Sequence, residues 1–318
     1  MRIVFMGTPE FAVASLESLL KNNFNIVGVV TAPDKPAGRG QQLHQSAVKK
    51  FALENNLKVL QPEKLKDPDF INELKNLNAD LQIVVAFRML PEVVWNMPTQ
   101  GTYNLHASLL PKYRGAAPIN WAIINGETET GVTTFKLKHE IDTGNILFKE
   151  KVPVTETMNA GELHDVLMKT GSELIVKTVR AIEESTNAKI ALTFLEQNDK
   201  ETCHAPKLFK ESCRIDWEKP VIEIYNLIRG LSPHPTAYTE IHAEGQAPLS
   251  LKLFSSKYTV ISHENTNGSL LTDNKTFLRV FAGEGYLDIT ELQLQGKKRM
   301  MVADFLRGFK VISGTRLS

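Results

Sequence analysis

Cysteine is nearly absent: 318 residues hold only Cys203 and Cys213. Ten residues apart and outside any CxxC pair, they make neither a disulfide scaffold nor a zinc site, and they read as free thiols in a reducing cytosol. Long apolar runs are missing too. Stretches such as 26–32 (IVGVVTA) and 82–87 (QIVVAF) fall far short of the ~20 residues of a spanning helix, so no membrane association is expected. There is no low-complexity tract, and 42% hydrophobic content gives enough apolar surface to offset chain entropy, which excludes disorder. Charge of either sign is not in excess: 37 basic against 36 acidic side chains predicts by itself no polyanion partner. No charged leader or small-residue cleavage site precedes Met1-Arg2-Ile3-Val4-Phe5, which already reads as a strand, and a cytoplasmic protein is expected. No HExxH or similar spacing occurs, so no metal is expected.

The length points to two domains, at ~100–200 residues each. The first third alternates strand and helix patterns. Strand 2–6 leads through Gly7-Thr8-Pro9, with Thr8 as N-cap, into a helix carrying Phe11, Ala14, Leu16, Leu19 and Leu20. Strand 26–31, helix 44–55, strand 57–60, helix 68–77 and strand 81–87 follow. Near-continuous Val/Ile runs between helices predict a Rossmann-like α/β domain with a parallel sheet covered on both faces. Further strands are expected at 132–138 and 146–154. A long helix over 159–184 carries Leu163, Val166, Leu167, Leu174, Ile175, Val179 and Ile182 as one packing stripe.

After polar residues 186–209, short strands at 238–242, 249–255, 258–262, 276–281 and 286–292 predict a small β-barrel, OB-like in character. The expected division is therefore 1–185, a linker over 186–209, and 210–318. Charge is uneven along it. Residues 205–318 hold 15 Lys/Arg against 12 Asp/Glu, and 292–318 hold Lys297, Lys298, Arg299, Arg307, Lys310 and Arg316 against Asp304 alone. That basic end suits a phosphate backbone, and equally a solvated surface.

Open α/β sheets bind ligands beyond the carboxyl ends of their strands. The loop after the first strand is not GxGxxG, which removes support for a dinucleotide enzyme. The densest polar cluster is 101–118. Asn104 and His106, at i and i+2 of a strand, leave one face about 6–7 Å apart. An amide and an imidazole converging there suit negative charge developing on a carbonyl oxygen, although a buried structural pair has the same spacing. Asp142, in the turn KHEIDTGN (138–145), reads either as a turn residue or as the carboxylate that favours a charged His106. His139 is the alternative partner. The loop PDKPAGRGQ (33–41) carries Arg39 between two glycines, a phosphate contact or a solvated loop charge.

Together these segments resemble the methionyl-tRNA formyltransferase family over nearly the whole chain. The resemblance rests on FMGTPEFA, PDKPAGRG, AFRMLP (86–91), NLHASLLPKYRGAAPI (104–119) and GVTTFKLKHEIDTGNIL (131–147). In the second domain it rests on RIDW, IRGLSPHP and GKKRM. It implies transfer of the formyl group of 10-formyltetrahydrofolate to the α-amine of initiator methionyl-tRNA, releasing tetrahydrofolate. It also implies Asn104, His106 and Asp142 as catalytic residues, and a folate pocket of Phe87, Arg88, Met89, Leu90, Ser108, Leu109, Leu110 and Pro111. For tRNA it implies contacts from Arg39, Lys207, Lys210, Lys297, Lys298 and Arg299. No DNA partner and a monomer are expected. Arg88 departs from the pattern, standing where many members have glycine; it is similar there to the folate-binding hinge of glycinamide ribonucleotide formyltransferase. Two rival readings remain open from the residues: a formyltransferase for a nucleotide-sugar amine, and a non-catalytic tRNA-binding module.

Overall fold

The computed structural model describes residues 1–37, 42–243, 247–312 and 314–318. Contacts divide it into two compact units. The first comprises Met1–Gly115, Glu129–Pro153 and His164–His204; the second comprises Ala116–Thr128, Val154–Leu163 and Ala205–Ser318.

In the first unit a seven-stranded sheet runs Ile146–Pro153, Glu129–Lys136, Thr102–His106, Leu81–Val85, Arg2–Gly7, Asn25–Val30, Val59–Leu60. The last five in that order pair in parallel, as the apolar runs require. The further strands at the other end of the sheet continue it in antiparallel pairing. Glu129–Lys136 is antiparallel to Thr102–His106 and to Ile146–Pro153. The connection 137–145 is too short for a crossover, which takes a dozen or more residues. The parallel strand Leu81–Val85 stops at Val85 rather than running to 87, because Ala86 turns to φ +48°.

Local signals set the helix starts. Ser46 accepts from Lys49 N at the head of Ala47–Glu54, and Asp67 accepts from Asp69 N ahead of Pro68–Asn76. Helix Glu10–Lys21 is capped by Pro9 without a side-chain bond, not by Thr8: the chain is still extended at position 9. One sheet face buries Val4, Met6 and Val84 together with Phe70, Leu74 and Val94. In the long helix Ala160–Ala188, Leu163, Leu167, Leu174, Ile175, Val179 and Ile182 are buried as expected. Val166 is not; at 100° per residue it falls off the stripe and is exposed.

The second unit is an antiparallel sheet ordered Leu270–Thr272, Leu278–Ala282, Gly285–Leu294, Leu249–Val260, Ala237–His242, Arg316–Leu317. A bridge from Ser269 to Arg316 joins its two ends and nearly closes a barrel. The two strands expected at 249–255 and 258–262 are one, Leu249–Val260. Register shifts around Ser255 let consecutive Leu253 and Phe254 both be buried, breaking the period-2 pattern mid-strand. Helices Val221–Gly230 and Val302–Gly308, absent from the sequence reading, pack onto the core of Trp217, Ile224, Ile228, Leu253, Leu287 and Leu292. The buried Arg229 is satisfied by Asn226 Oδ1 at 2.8 Å and the Met158 carbonyl at 2.9 Å. Among the described residues no helix is long and apolar enough to cross a membrane.

Candidate active site

Strand Thr102–His106 ends at the carboxyl edge of the parallel strands. Alternation sends Tyr103 and Leu105 to one face; there the backbone of Gly171 lies so close to Leu105 that a β-carbon would stand 2.8 Å from its Cδ2. Asn104 and His106 share the other face. Asn104 is opposite Phe135 and beside Val84, and His106 is opposite Thr133. The Asn104 side chain has no hydrogen-bond partner among the described residues, so its amide is available to a ligand.

The imidazole of His106 is committed at one nitrogen. Its Nε2 lies 2.8 Å from the Tyr113 carbonyl. A carbonyl only accepts, so Nε2 carries the proton and donates. Nδ1 stands 3.9 Å from Asp142 Oδ2, an ion-pair distance when the ring is charged and longer than a hydrogen bond. Both side chains are largely shielded, 8% and 14% exposed, which strengthens their interaction relative to a surface pair.

Asp142 adopts φ +54°, a conformation that Asp and Asn tolerate better than most residues. Its Oδ2 accepts from Gly115 N at 3.0 Å. Gly115 itself sits at φ +128°, open to glycine alone without strain. Two residues on, a β-carbon on Gly144 would lie 1.8 Å from the Lys136 carbonyl oxygen, so the turn closes only with glycine there. The structure thus places Asp142 near His106. His139, the alternative partner, is exposed. Among the described residues no group of three His, Cys, Asp or Glu is placed to hold a metal.

The segment after the strand is fixed by a residue that sequence reading missed. Thr133 Oγ1 donates to the Ser108 carbonyl at 2.6 Å and accepts from Leu110 N at 3.2 Å, while Ser108 Oγ donates to the Lys112 carbonyl. Ser108, Leu110 and Pro111 are buried, and Leu109 is half-buried. Only the register of Thr133 opposite His106 reveals this role, and register is not visible in VTTF alone. Phe87 is half-buried, Met89 is 71% exposed, and Leu90 packs in the core with Val94. Arg88 donates to the Pro62 and Glu63 carbonyls, and partial burial lowers its pKa. Its guanidinium therefore ties down the loop after Val59–Leu60.

Arg39 lies outside the described residues. Lys207 and Lys210 are exposed, their ammonium groups 5.5 Å and 5.8 Å from the ring centroids of Phe209 and Tyr238. Lys297 and Lys298 are exposed at a tight turn. Arg299 is engaged, making two 2.6 Å bonds to Glu291 and lying over the Phe254 ring.

The chain is a formyl transferase by its sequence family. The family model described as "Formyl transferase" matches residues 1–179, and "Formyl transferase, C-terminal domain" matches 207–310. The chain belongs to the methionyl-tRNA formyltransferase family. It is 52% identical over 323 residues to the methionyl-tRNA formyltransferase of Bacteroides thetaiotaomicron, covering all of this chain and 98% of that one. It is likewise 52% identical over 308 residues to that of Flavobacterium johnsoniae, covering 97% and 96%. Among solved structures, the sugar 3N-formyl transferase WlaRD superposes with a TM-score of 0.64 at 24% identity, covering 94% of this chain and 99% of that one. HypX from Aquifex aeolicus superposes with a TM-score of 0.63 at 18% identity, covering 96% and 47%. These two likenesses show the fold.

Proposed function

We propose that the chain transfers the formyl group of 10-formyltetrahydrofolate to the α-amine of initiator methionyl-tRNA, giving N-formylmethionyl-tRNA for translation initiation. The observation that carries this reading is the shared face of Asn104 and His106 at the carboxyl edge of the sheet, with Asp142 beside the free ring nitrogen. The acceptor follows from the relatives 52% identical over the full chain.

The neutral amine attacks the formyl carbon, and the carbonyl π pair moves onto oxygen. Asn104 and the Nδ1 proton of charged His106 donate to that oxyanion; the Tyr113 carbonyl holds the ring by its other nitrogen. The bond to the folate nitrogen then breaks as the carbonyl re-forms. The proton leaving the amine reaches the departing nitrogen, with Asp142 as relay and as the charge that balances the imidazolium. Ser108, Leu109, Leu110 and Pro111, with Phe87, Arg88, Met89 and Leu90, frame the folate side. Of these, Met89 presents the most exposed apolar side chain, while Arg88 and Ser108 brace the backbone.

Residues 1–185 supply the chemistry and one tRNA contact, Arg39, while the linker 186–209 and residues 210–318 supply the others through Lys207, Lys210, Lys297, Lys298 and Arg299. Formyl transfer from 10-formyltetrahydrofolate is assayed against charged initiator tRNA and against a nucleotide-sugar amine. Product on the tRNA with none on the sugar is expected. The reverse result refutes the acceptor, and no product on either refutes the reaction.

A further inference from the structure

Gln197 lies in the polar stretch after the long helix, and nothing about its sequence context marks it. Its side chain is nonetheless fully used. Arg114 donates to Oε1 through Nε at 3.0 Å and through NH2 at 2.8 Å. Nε2 donates to the Asp142 carbonyl at 2.7 Å and to the Gly144 carbonyl at 2.8 Å. The amide cannot be reversed: a guanidinium only donates and a carbonyl only accepts, so each end has one permitted neighbour.

Two further contacts hold the amide where it is. Leu195 and Ile146 exchange backbone bonds at 2.8 Å and 2.9 Å, which anchors the chain two residues before Gln197 to the strand that follows the Asp142 turn. Arg114, only 11% exposed, also pairs with Asp199 at 2.9 Å. Asp142 meanwhile holds a left-handed backbone conformation that persists only where its surroundings enforce it. Its carboxylate is held by Gly115 N, and its carbonyl by Gln197.

We propose that Gln197 is a positioning residue for formyl transfer: by binding the Asp142 and Gly144 carbonyls, it keeps the Asp142 carboxylate facing His106. The inference rests on the reading of Asp142 as catalytic.

Glutamate is the discriminating replacement. Q197E keeps length and shape and still accepts from Arg114, but it turns an oxygen toward two carbonyl oxygens, so only the Asp142 side is broken. Wild type, Q197E, D142N and the double variant are compared as full-length chains, with 10-formyltetrahydrofolate and charged initiator tRNA. Q197E is expected to lower kcat about tenfold or more, with both KM values within roughly threefold, and to add less than about twofold on the D142N background. A kcat for Q197E within about twofold of wild type overturns the proposal, and so does an equal loss in both backgrounds, the mark of a general structural role. Near-normal turnover of D142N alone is a different failure, that of the catalytic reading of Asp142.

Discussion

His106 Nδ1 stands 3.9 Å from Asp142 Oδ2, while the Nε2 of the same ring is spent on the Tyr113 carbonyl. Under the proposed mechanism the two nitrogens have different tasks, one anchoring and one working. Asparagine places its amide nitrogen near the Nδ1 position, and glutamine near that of Nε2. H106N is expected to retain measurably more turnover than H106Q, with both well below wild type. Steady-state kcat of the two variants decides this, and equal or reversed residual rates contradict the assignment of Nδ1.

Thr133 Oγ1 bridges the Ser108 carbonyl and Leu110 N from the neighbouring strand. Valine keeps the shape and leaves both backbone groups buried without that partner, at about 1–3 kcal/mol. T133V is expected to lower stability by that amount and to raise KM for 10-formyltetrahydrofolate more than it lowers kcat. Chemical denaturation and a folate titration of the rate measure both.

Much of this site was legible in the sequence because it is written locally. The i, i+2 spacing of Asn104 and His106 needs only a strand, and the Asp142 turn is marked by its glycine. What escaped depends on register and on long-range reach. Thr133 is one of two adjacent threonines in a strand, and pairing alone decides that it faces His106 while Thr134 bonds Thr178 of the long helix. Gln197 reaches back across 55 residues to Asp142. The antiparallel end of the sheet escaped for another reason: Glu129–Lys136 is buried on both faces, as a parallel strand would be, so its composition does not reveal its direction.

Exposed lysines near the end of the chain offer a test of nucleic-acid contact. Lys297 and Lys298 carry no ion pair among the described residues, whereas Arg299 is tied to Glu291. If each lysine neutralises one phosphate, K297A and K298A each weaken initiator tRNA binding and lower the slope of log K against log salt by about 0.7–0.9. R299A is expected to change that slope less. Binding isotherms at several salt concentrations check this.

Tyr103, next to Asn104 on the opposite face, has its phenol pushed up to about 12 by burial. In the unfolded chain it ionises near pH 10. Between these values the unfolded state holds fewer protons, so stability is intact below about pH 10 and falls as pH rises toward 12, by up to about 3 kcal/mol. Y103F is expected to flatten that decline. Urea unfolding between about pH 9 and 12, for wild type and variant, measures the difference.

The central claim is that Asn104 donates to the oxyanion of the transfer. It is tested most directly by single-turnover formylation of charged initiator tRNA by N104A in the presence of saturating 10-formyltetrahydrofolate. Loss of one such donor costs ~2.7–4 kcal/mol, so the rate should fall about a hundredfold or more while the thermal midpoint moves by only a few degrees. A rate within about threefold of wild type would contradict the account.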